Sequence, residues 1–426
     1  ADVTAGYSHG KFHGKIDTKG FDVGRLAKDS RFGKLVARLE VSGTTGERGK
    51  DKRPKTAAAK GTVESMTYNG VTYHNISLDL AADIEKSVVA GEVAINDPNG
   101  KASVRGDVAF GARKGMNIVA QMERLNLLAL GITDKIGSKT IGMTAHAEVS
   151  GTSVDDFCGS VTVNDFSISS GGTTNRISLL KIDAGNDADG HYMRLNSDFA
   201  DAEVRGRYSL AQLGQSVINV IADKVPSMPC EVKGLKGYEV KGLKGLKGLK
   251  GLKSNDFSIY LRVRQLGWIN EYLGLPFTIN KPVSVNGTIS ERDMAMDLDL
   301  DMPDFSMSGN RLTNAKAHVV AMGDSLNALL YCEKTGDNGK DLTVKATAKA
   351  MGGQLRTCID WDTHSRQPLR GRLNAVADFH EDKNGEATAN VQIEKSDVMV
   401  GDSKWIIQPS RITWARSIAI DNFTVS

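Results

Sequence analysis

Residues Met294 to Met302 read M-A-M-D-L-D-L-D-M, with Asp297, Asp299 and Asp301 on alternate positions. Three carboxylates in so short a span are the densest candidate for chemistry in the chain, and that chemistry would be binding a hard cation such as calcium. Calcium loops, however, bend the backbone until their ligands converge. On a strand the same side chains leave one face roughly 7 Å apart, so the spacing predicts a solvated outer wall instead. Residues Asn314 to Ala321 alternate likewise, with Lys316 and His318 opposite in parity to Ala315, Ala317, Val319 and Ala321. This second strand is expected to pair with Met294–Met302 and set its cations beside the aspartates, each such cross-strand pair contributing roughly 0.2–1 kcal/mol.

Other reactive residue types are scattered. His9 and His13 share an i, i+4 spacing in a Gly-rich stretch with no accompanying carboxylate motif. Cys158, Cys230, Cys332 and Cys358 form no C-x-x-C pair, which argues against a metal site; disulfides and free thiols both fit their spacing. There is no G-x-S-x-G elbow, no Walker loop and no G-x-G-x-x-G after a strand. A glycosidase-like carboxylate pair fits the abundant acids, but nothing marks one. The chain is read as non-enzymatic, with no catalytic residue, metal or cofactor.

What remains is the framework that positions these groups. With 45 glycines, only 9 prolines and 6% aromatics in 426 residues, the composition suits many strands and tight turns. A net charge of +3 is too small to imply nucleic acid. No run of about 18 apolar residues is present to span a membrane. The opening A-D-V-T-A-G-Y-S-H-G is not a signal peptide, and the abrupt end in D-N-F-T-V-S points to a piece of something larger.

Apolar alternation recurs at Ile76, Leu78 and Leu80; at Val104, Val108 and Phe110; at Ile118 and Met122; at Val161 and Val163; at Ile259, Leu261 and Val263; and from Leu342 to Ala350. One-face alternation is the mark of antiparallel sheet. Asn-Gly occurs at Asn69, Asn99, Asn286, Asn338 and Asn384, a dipeptide that supplies the positive φ of tight hairpins. The elements repeat. A-S-V-R-G-D-V-A-F (Ala102–Phe110) returns as A-E-V-R-G-R-Y-S-L (Ala202–Leu210), N-I-S-L at Asn75 returns as R-I-S-L at Arg176, and Asn117–Leu125 resembles Ser258–Leu266. The last two stretches each enter a short helix-like segment. Ser209 to Ala222 is the clearest helix, with Leu210, Leu213, Val217 and Ile221 on one face; it reads as a cap over a sheet end, or as an amphipathic element at a groove mouth or lipid surface. Residues 231–254, with recurring K-G-L, read as a flexible basic linker or as a contact for anionic head groups. The expected domains are therefore 1–230, the linker 231–254, and 255–426.

The repeated oily face needs a cover. Two sheets could pack as a sandwich, a sheet could close as a barrel, or the face could line a groove holding an apolar ligand. The apolar positions are Val, Ile, Leu, Met and Ala rather than aromatics, and the 13 methionines suit variable apolar partners. A sixteen-carbon acyl chain costs ~13 kcal/mol to expose to water at about 0.8 kcal/mol per CH₂. A continuous apolar path removes that barrier.

The meander, the insertions E-R-L-N-L-L-A-L-G-I and R-Q-L-G-W-I-N-E-Y-L-G-L-P, and the closing W-I-I-Q-P-S-R-I-T-W-A-R-S-I-A-I-D-N-F-T-V-S resemble the AsmA-like family, and within it the TamB group. The resemblance implies an envelope protein of Gram-negative bacteria: an elongated, taco-like antiparallel β-groove in the periplasm, linked to phospholipid transport and outer-membrane biogenesis. It implies partners among inner- and outer-membrane proteins and a membrane anchor that this chain does not contain. The lipid-lining residues are expected to be Ile76, Leu78, Leu80, Val104, Val108, Phe110, Ile118, Met122, Ile259, Leu261, Val263, Met294, Met296, Leu298 and Leu300. An aspartate at Leu261 or Met296 is expected to block lipid while disturbing folding less than a change in a packed core. A structural or adhesive β-sandwich or β-solenoid array at the cell surface is the alternative, with a β-rich hydrolase behind it.

Overall fold

In the computed structural model the described residues are 1–45, 54–111, 114–225, 254–336, 339–381, 387–414, 418–421 and 424. The chain is mainly β, an open antiparallel architecture with a few short helices. It divides into two compact units, Ala1–Asn186 with Met193–Asp198, and Asp187–Tyr192 with Phe199–Ser426. The K-G-L run and Cys230 lie outside the described residues, as do Asn338 and the Asn384-Gly385 dipeptide. Cys158, Cys332 and Cys358 are free thiols.

The first unit is a meander of β1 (Asp2–Ser8), β2 (Lys11–Asp22), β3 (Phe32–Thr45), β4 (Pro54–Tyr68), β5 (Val71–Asp83), β6 (Val88–Asp97), β7 (Gly100–Ala109), β8 (Gly115–Asn126), β9 (Thr140–Ser150), β10 (Cys158–Ser170) and β11 (Thr173–Asp187). Each strand pairs antiparallel with the next. A short helix α1 (Val23–Ala27), capped where Asp22 accepts from the Arg25 backbone N–H, packs on β3. Strand β12 (Gly190–Ser197) has residues in both units.

The second unit contains β13 (Ala200–Arg207), α2 (Leu213–Lys224), β14 (Asp256–Val263), α3 (Asn270–Leu273), β15 (Phe277–Ile279), β16 (Val283–Ser290), β17 (Ala295–Met307), β18 (Asn310–Met322), β19 (Ser325–Gly336), β20 (Gly339–Met351), β21 (Gln354–Asp362) and β22 (Leu369–Glu381), then β23 (Ala387–Ile393), β24 (Ser396–Val400), β25 (Ser403–Ile407), β26 (Ser410–Trp414) and β27 (Ile418–Asp421). Consecutive pairing runs from β16 to β22. Strand β14 pairs with both β13 and β16, and β15 extends the edge of β17 beyond β16.

Local chemistry explains the register. At Asn69-Gly70 the φ angles are 47° and 79°, the predicted tight turn between β4 and β5. Two other Asn-Gly pairs behave differently. Pro98 and Asn99 make the β6–β7 turn while Gly100 opens β7, and Asn286-Gly287 lies inside β16. A Cβ at Gly287 would sit 2.1 Å from the Asp297 carbonyl oxygen, so glycine serves close strand approach there. Gly91 and Gly106 stand opposite each other on β6 and β7 with φ of 143° and 140°, a region closed to L side chains.

Bulges free backbone donors, and buried side chains take them up. Thr18 Oγ1 accepts from the Ala37 N–H, where the β3–β4 register shifts. At the β18 bulge, Asn314 (φ 53°) instead anchors by its side chain, its amide donating to the buried Glu333 at 2.7 Å. Asp97, ending β6, accepts from the His74 N–H on β5 at 2.8 Å. Asp198, after β12, accepts from the Ser178 N–H on β11. The same device, an aspartate at the end of the next strand accepting from the strand before it, matches the repeat: β5 to β8 correspond to β11 to β14. Both copies end in a buried leucine, Leu125 and Leu266, followed by an insertion. The first insertion is a run of turns, not a helix; the second is a 3₁₀ turn leading into α3, closed by Gly274 in the left-handed region.

Candidate functional site: an apolar sheet face

Directly opposed residues of an antiparallel ladder point to the same side, so the register assigns faces. In the first unit one line runs Val3, Ile16, Leu39, Gly61, Leu78, Val93, Val104, Ala120, Ala145, Val163, Leu180, apolar across eleven strands. The neighbouring lines hold Leu80 with Ile118, Val108 with Met116, and Ile76 with Ile95, Ala102 and Met122. The expected residues of this unit therefore share one face, except that Phe110 falls just beyond β7 and is 63% exposed.

Among the described residues nothing covers the whole face. Val93 and Val104 remain 37% and 39% exposed in mid-sheet, values a sandwich interior would not leave. Among the described residues, cover is seen at one end, where the turns after β8 fold back. Leu130 is buried, its carbonyl accepts from the Tyr73 hydroxyl of β5 at 2.8 Å, and Leu125, Ile141 and Ile168 are buried in line beside it.

The second unit repeats the plan. Ala202, Leu261, Val285, Leu300, Ala317, Leu330, Ala346, Ile359 and Leu373 form one apolar line, and Val204, Ile259, Leu298, Val319 and Ala328 lie in the next. Leu330 is 49% exposed and Ile359 37%. A third line, Phe257, Ile289, Met296, Ala321, Leu326 and Ala350, is wholly buried. Helix α2 packs across β16 to β19 here, contributing the buried Val220 and Ala222, with Val225 after its last turn. Met296 is therefore packed core at 3% exposure, which corrects its expected place in an open lining. Met294 is not in the strand at all: it sits in the turn before β17 with φ 46°. Leu298, Leu300, Ile259, Leu261 and Val263 stay on the half-exposed part.

The expected helix at Ser209–Ala222 appears as a 3₁₀ turn at Leu210–Gln212 leading into α2, which caps a sheet end. Its buried side, however, carries Ser216, Val220 and Lys224, while the expected stripe of Leu213, Val217 and Ile221 is half-buried. A polar network selects that side. Asn255 accepts from the Ser209 N–H and donates to Ser216 Oγ at 2.8 Å; Glu291 accepts from the Asn255 N–H at 2.7 Å and from the Asn219 amide at 2.8 Å. Lys224 Nζ donates to Asp223 and to the Gly323 carbonyl in the β18–β19 turn.

The opposite face is polar. Asp299 faces His318 and Asp301 faces Lys316, the expected pairing, with His318 Nδ1 2.8 Å from Asp299 Oδ1. Asp297, Asp299 and His318 each bring a ligand atom within 4.8 Å of the others, all exposed. His9 is not among them; its ring meets Ser8 at 2.8 Å. In the first unit Lys15–Glu40 and Lys60–Asp79 lie along one line at 2.7 and 2.6 Å. Burial pushes the Asp97 carboxyl up, but the N–H groups of Asn99 and His74, with their side chains, outweigh it and hold the group below the usual carboxylate range. Asp304, buried on β17, is held low by the Arg311 guanidinium at 2.6 Å.

The bulge-capping side chains and the Asn255–Glu291 anchor escaped the sequence reading, as did the apolar contributions of β1 to β3. The alternation in L-V-A-R-L-E-V (Leu35–Val41) carried a signal for the last; the anchor joins residues too far apart to signal locally. Among the described residues no helix is long and apolar enough to cross a membrane. No family model, curated protein or solved structure matches the chain.

Proposed function

We propose that the chain is a non-enzymatic, lipid-conducting sheet of the bacterial cell envelope. In this reading it shields phospholipid acyl chains between inner and outer membranes, as a TamB-like member of the AsmA-like family, in the periplasm and alongside membrane-protein partners. One observation supports it above others: each unit carries unbroken apolar lines across many strands, half-exposed and, among the described residues, without a second layer over them. An open single-layer sheet gains little from presenting leucine and valine to water, whereas an acyl chain laid across them removes area from solvent at about 25 cal/mol per Å². A closed sandwich array would bury the same residues. The caps at the ends, α2 in one unit and the turns after β8 in the other, bound the stretch open to a ligand.

Photo-crosslinking tests the proposal. A photoreactive residue at Leu78 or Leu261 should capture phospholipid in cells, while one at Asp79 or Tyr260, on the opposite face, should not. Equal capture from both faces, or none from either with no phospholipid in native mass spectra, would sink it.

A further inference from the structure

On the polar face of the second unit cations stand beside carboxylates. Arg372 bonds Asp360 at 2.6 Å, Arg205 bonds Glu203 at 2.9 Å, and Lys404 lies 3.2 Å from Asp397. One pair breaks the pattern. Lys349 on β20 stands directly opposite Arg356 on β21, and among the described residues neither makes an ion pair. Like charges so placed repel and weaken the ladder, so the arrangement invites a counter-charge from outside.

The surroundings suit an anion. Asn327 stands opposite Lys349, and Asn374 opposite Cys358, one same-face step along from Arg356; both amides can donate. These side chains line a shallow depression of about 490 Å³ that also includes the apolar Leu329, and among the described residues Glu394 is the one carboxylate lining it. Arginine offers a planar fork matched to two oxygens of a tetrahedral anion, and lysine adds a compact point charge.

We propose that this depression binds a phosphate group, with Arg356 gripping two oxygens, Lys349 neutralising the charge, and Asn327 and Asn374 donating at the flanks. The site lies on the face opposite the apolar lines and stands independently of what those lines carry.

Calorimetry on the full chain with inorganic phosphate, and flotation with phosphatidylglycerol or phosphatidylcholine vesicles, tests it. Arg356→Gln should weaken phosphate binding about tenfold or more, the loss of a charge-assisted pair of hydrogen bonds. Lys345→Gln, on the same face of β20 outside the depression, should leave it nearly unchanged. Arg356→Glu should abolish binding yet raise the melting temperature, because it gives Lys349 a matched neighbour; a purely structural role would not move the two readouts in opposite directions. Binding of inorganic phosphate supports a free phosphate ligand. Binding only to phosphatidylglycerol vesicles, lost in Arg356→Gln, supports a lipid head group. Binding to neither, or equal weakening by Lys345→Gln and Arg356→Gln, overturns the site in favour of diffuse surface charge.

Discussion

Met296 and Leu300 lie four residues apart on β17 and point to the same face, yet they live in different environments. Met296 is sealed under α2 with Ile289 and Ala321; Leu300 shares its line with the half-exposed Leu330 and Ile359. Parity, chemistry and strand are the same. Only the cover differs, and the cover is held by polar groups rather than by the oily stripe of the helix. The pair thus separates apolar residues that hold the fold from those left for something else to cover.

The largest expected effect lies there. Met296→Asp buries an unpaired carboxylate and should cost about 4 kcal/mol or more in denaturant unfolding. Leu300→Asp keeps access to water and should cost about 1 kcal/mol while abolishing lipid crosslinks from Leu261. Equal costs would erase the distinction.

A second, smaller effect comes from removing the cover. Asn255→Ala orphans the Ser209 N–H and removes the amide donor to Ser216 Oγ, whose hydroxyl still donates to the Gln212 carbonyl at 3.1 Å, and should cost about 2 kcal/mol. In that background Met296→Asp should become less harmful, because the helix no longer seals it. Additive costs would mean that α2 stays seated without its anchor.

The smallest concerns pH and the first unit. The folded Asp97 carboxyl titrates below its unfolded value near ~3.9, so its stabilisation is full above that pH and is lost as pH falls through it toward the folded pKa. The melting-temperature gap between the wild type and Asp97→Asn should therefore be widest near neutrality and shrink as pH falls below 4. A gap that grows in acid would contradict the sign.

Period-two alternation made the strands, their faces and the pairing of Met294–Met302 with Asn314–Ala321 legible, because each depends on neighbours along the chain. The correspondence of β5–β8 with β11–β14 was legible for the same reason. What covers Met296 was not: Asn255 meets Ser216 across 39 residues and Lys224 meets Gly323 across 99. Nor did Asn286-Gly287 announce itself as strand, since the same dipeptide serves a turn at Asn69 and close backbone approach at Gly287.

The meander has one more consequence, for how the protein is made. From β1 to β11 every strand finds its partner in the segment just synthesised. Short loop closures carry little entropic penalty and form quickly. Such a sheet can zip up from its first hairpin as the chain emerges, each new strand templated on the last, without waiting for a distant segment. Helix α2 is the exception, since its seat on β18 and β19 exists only once those later strands have formed. Its docking would mark the end of assembly over that stretch, a latch closed last on a sheet already built.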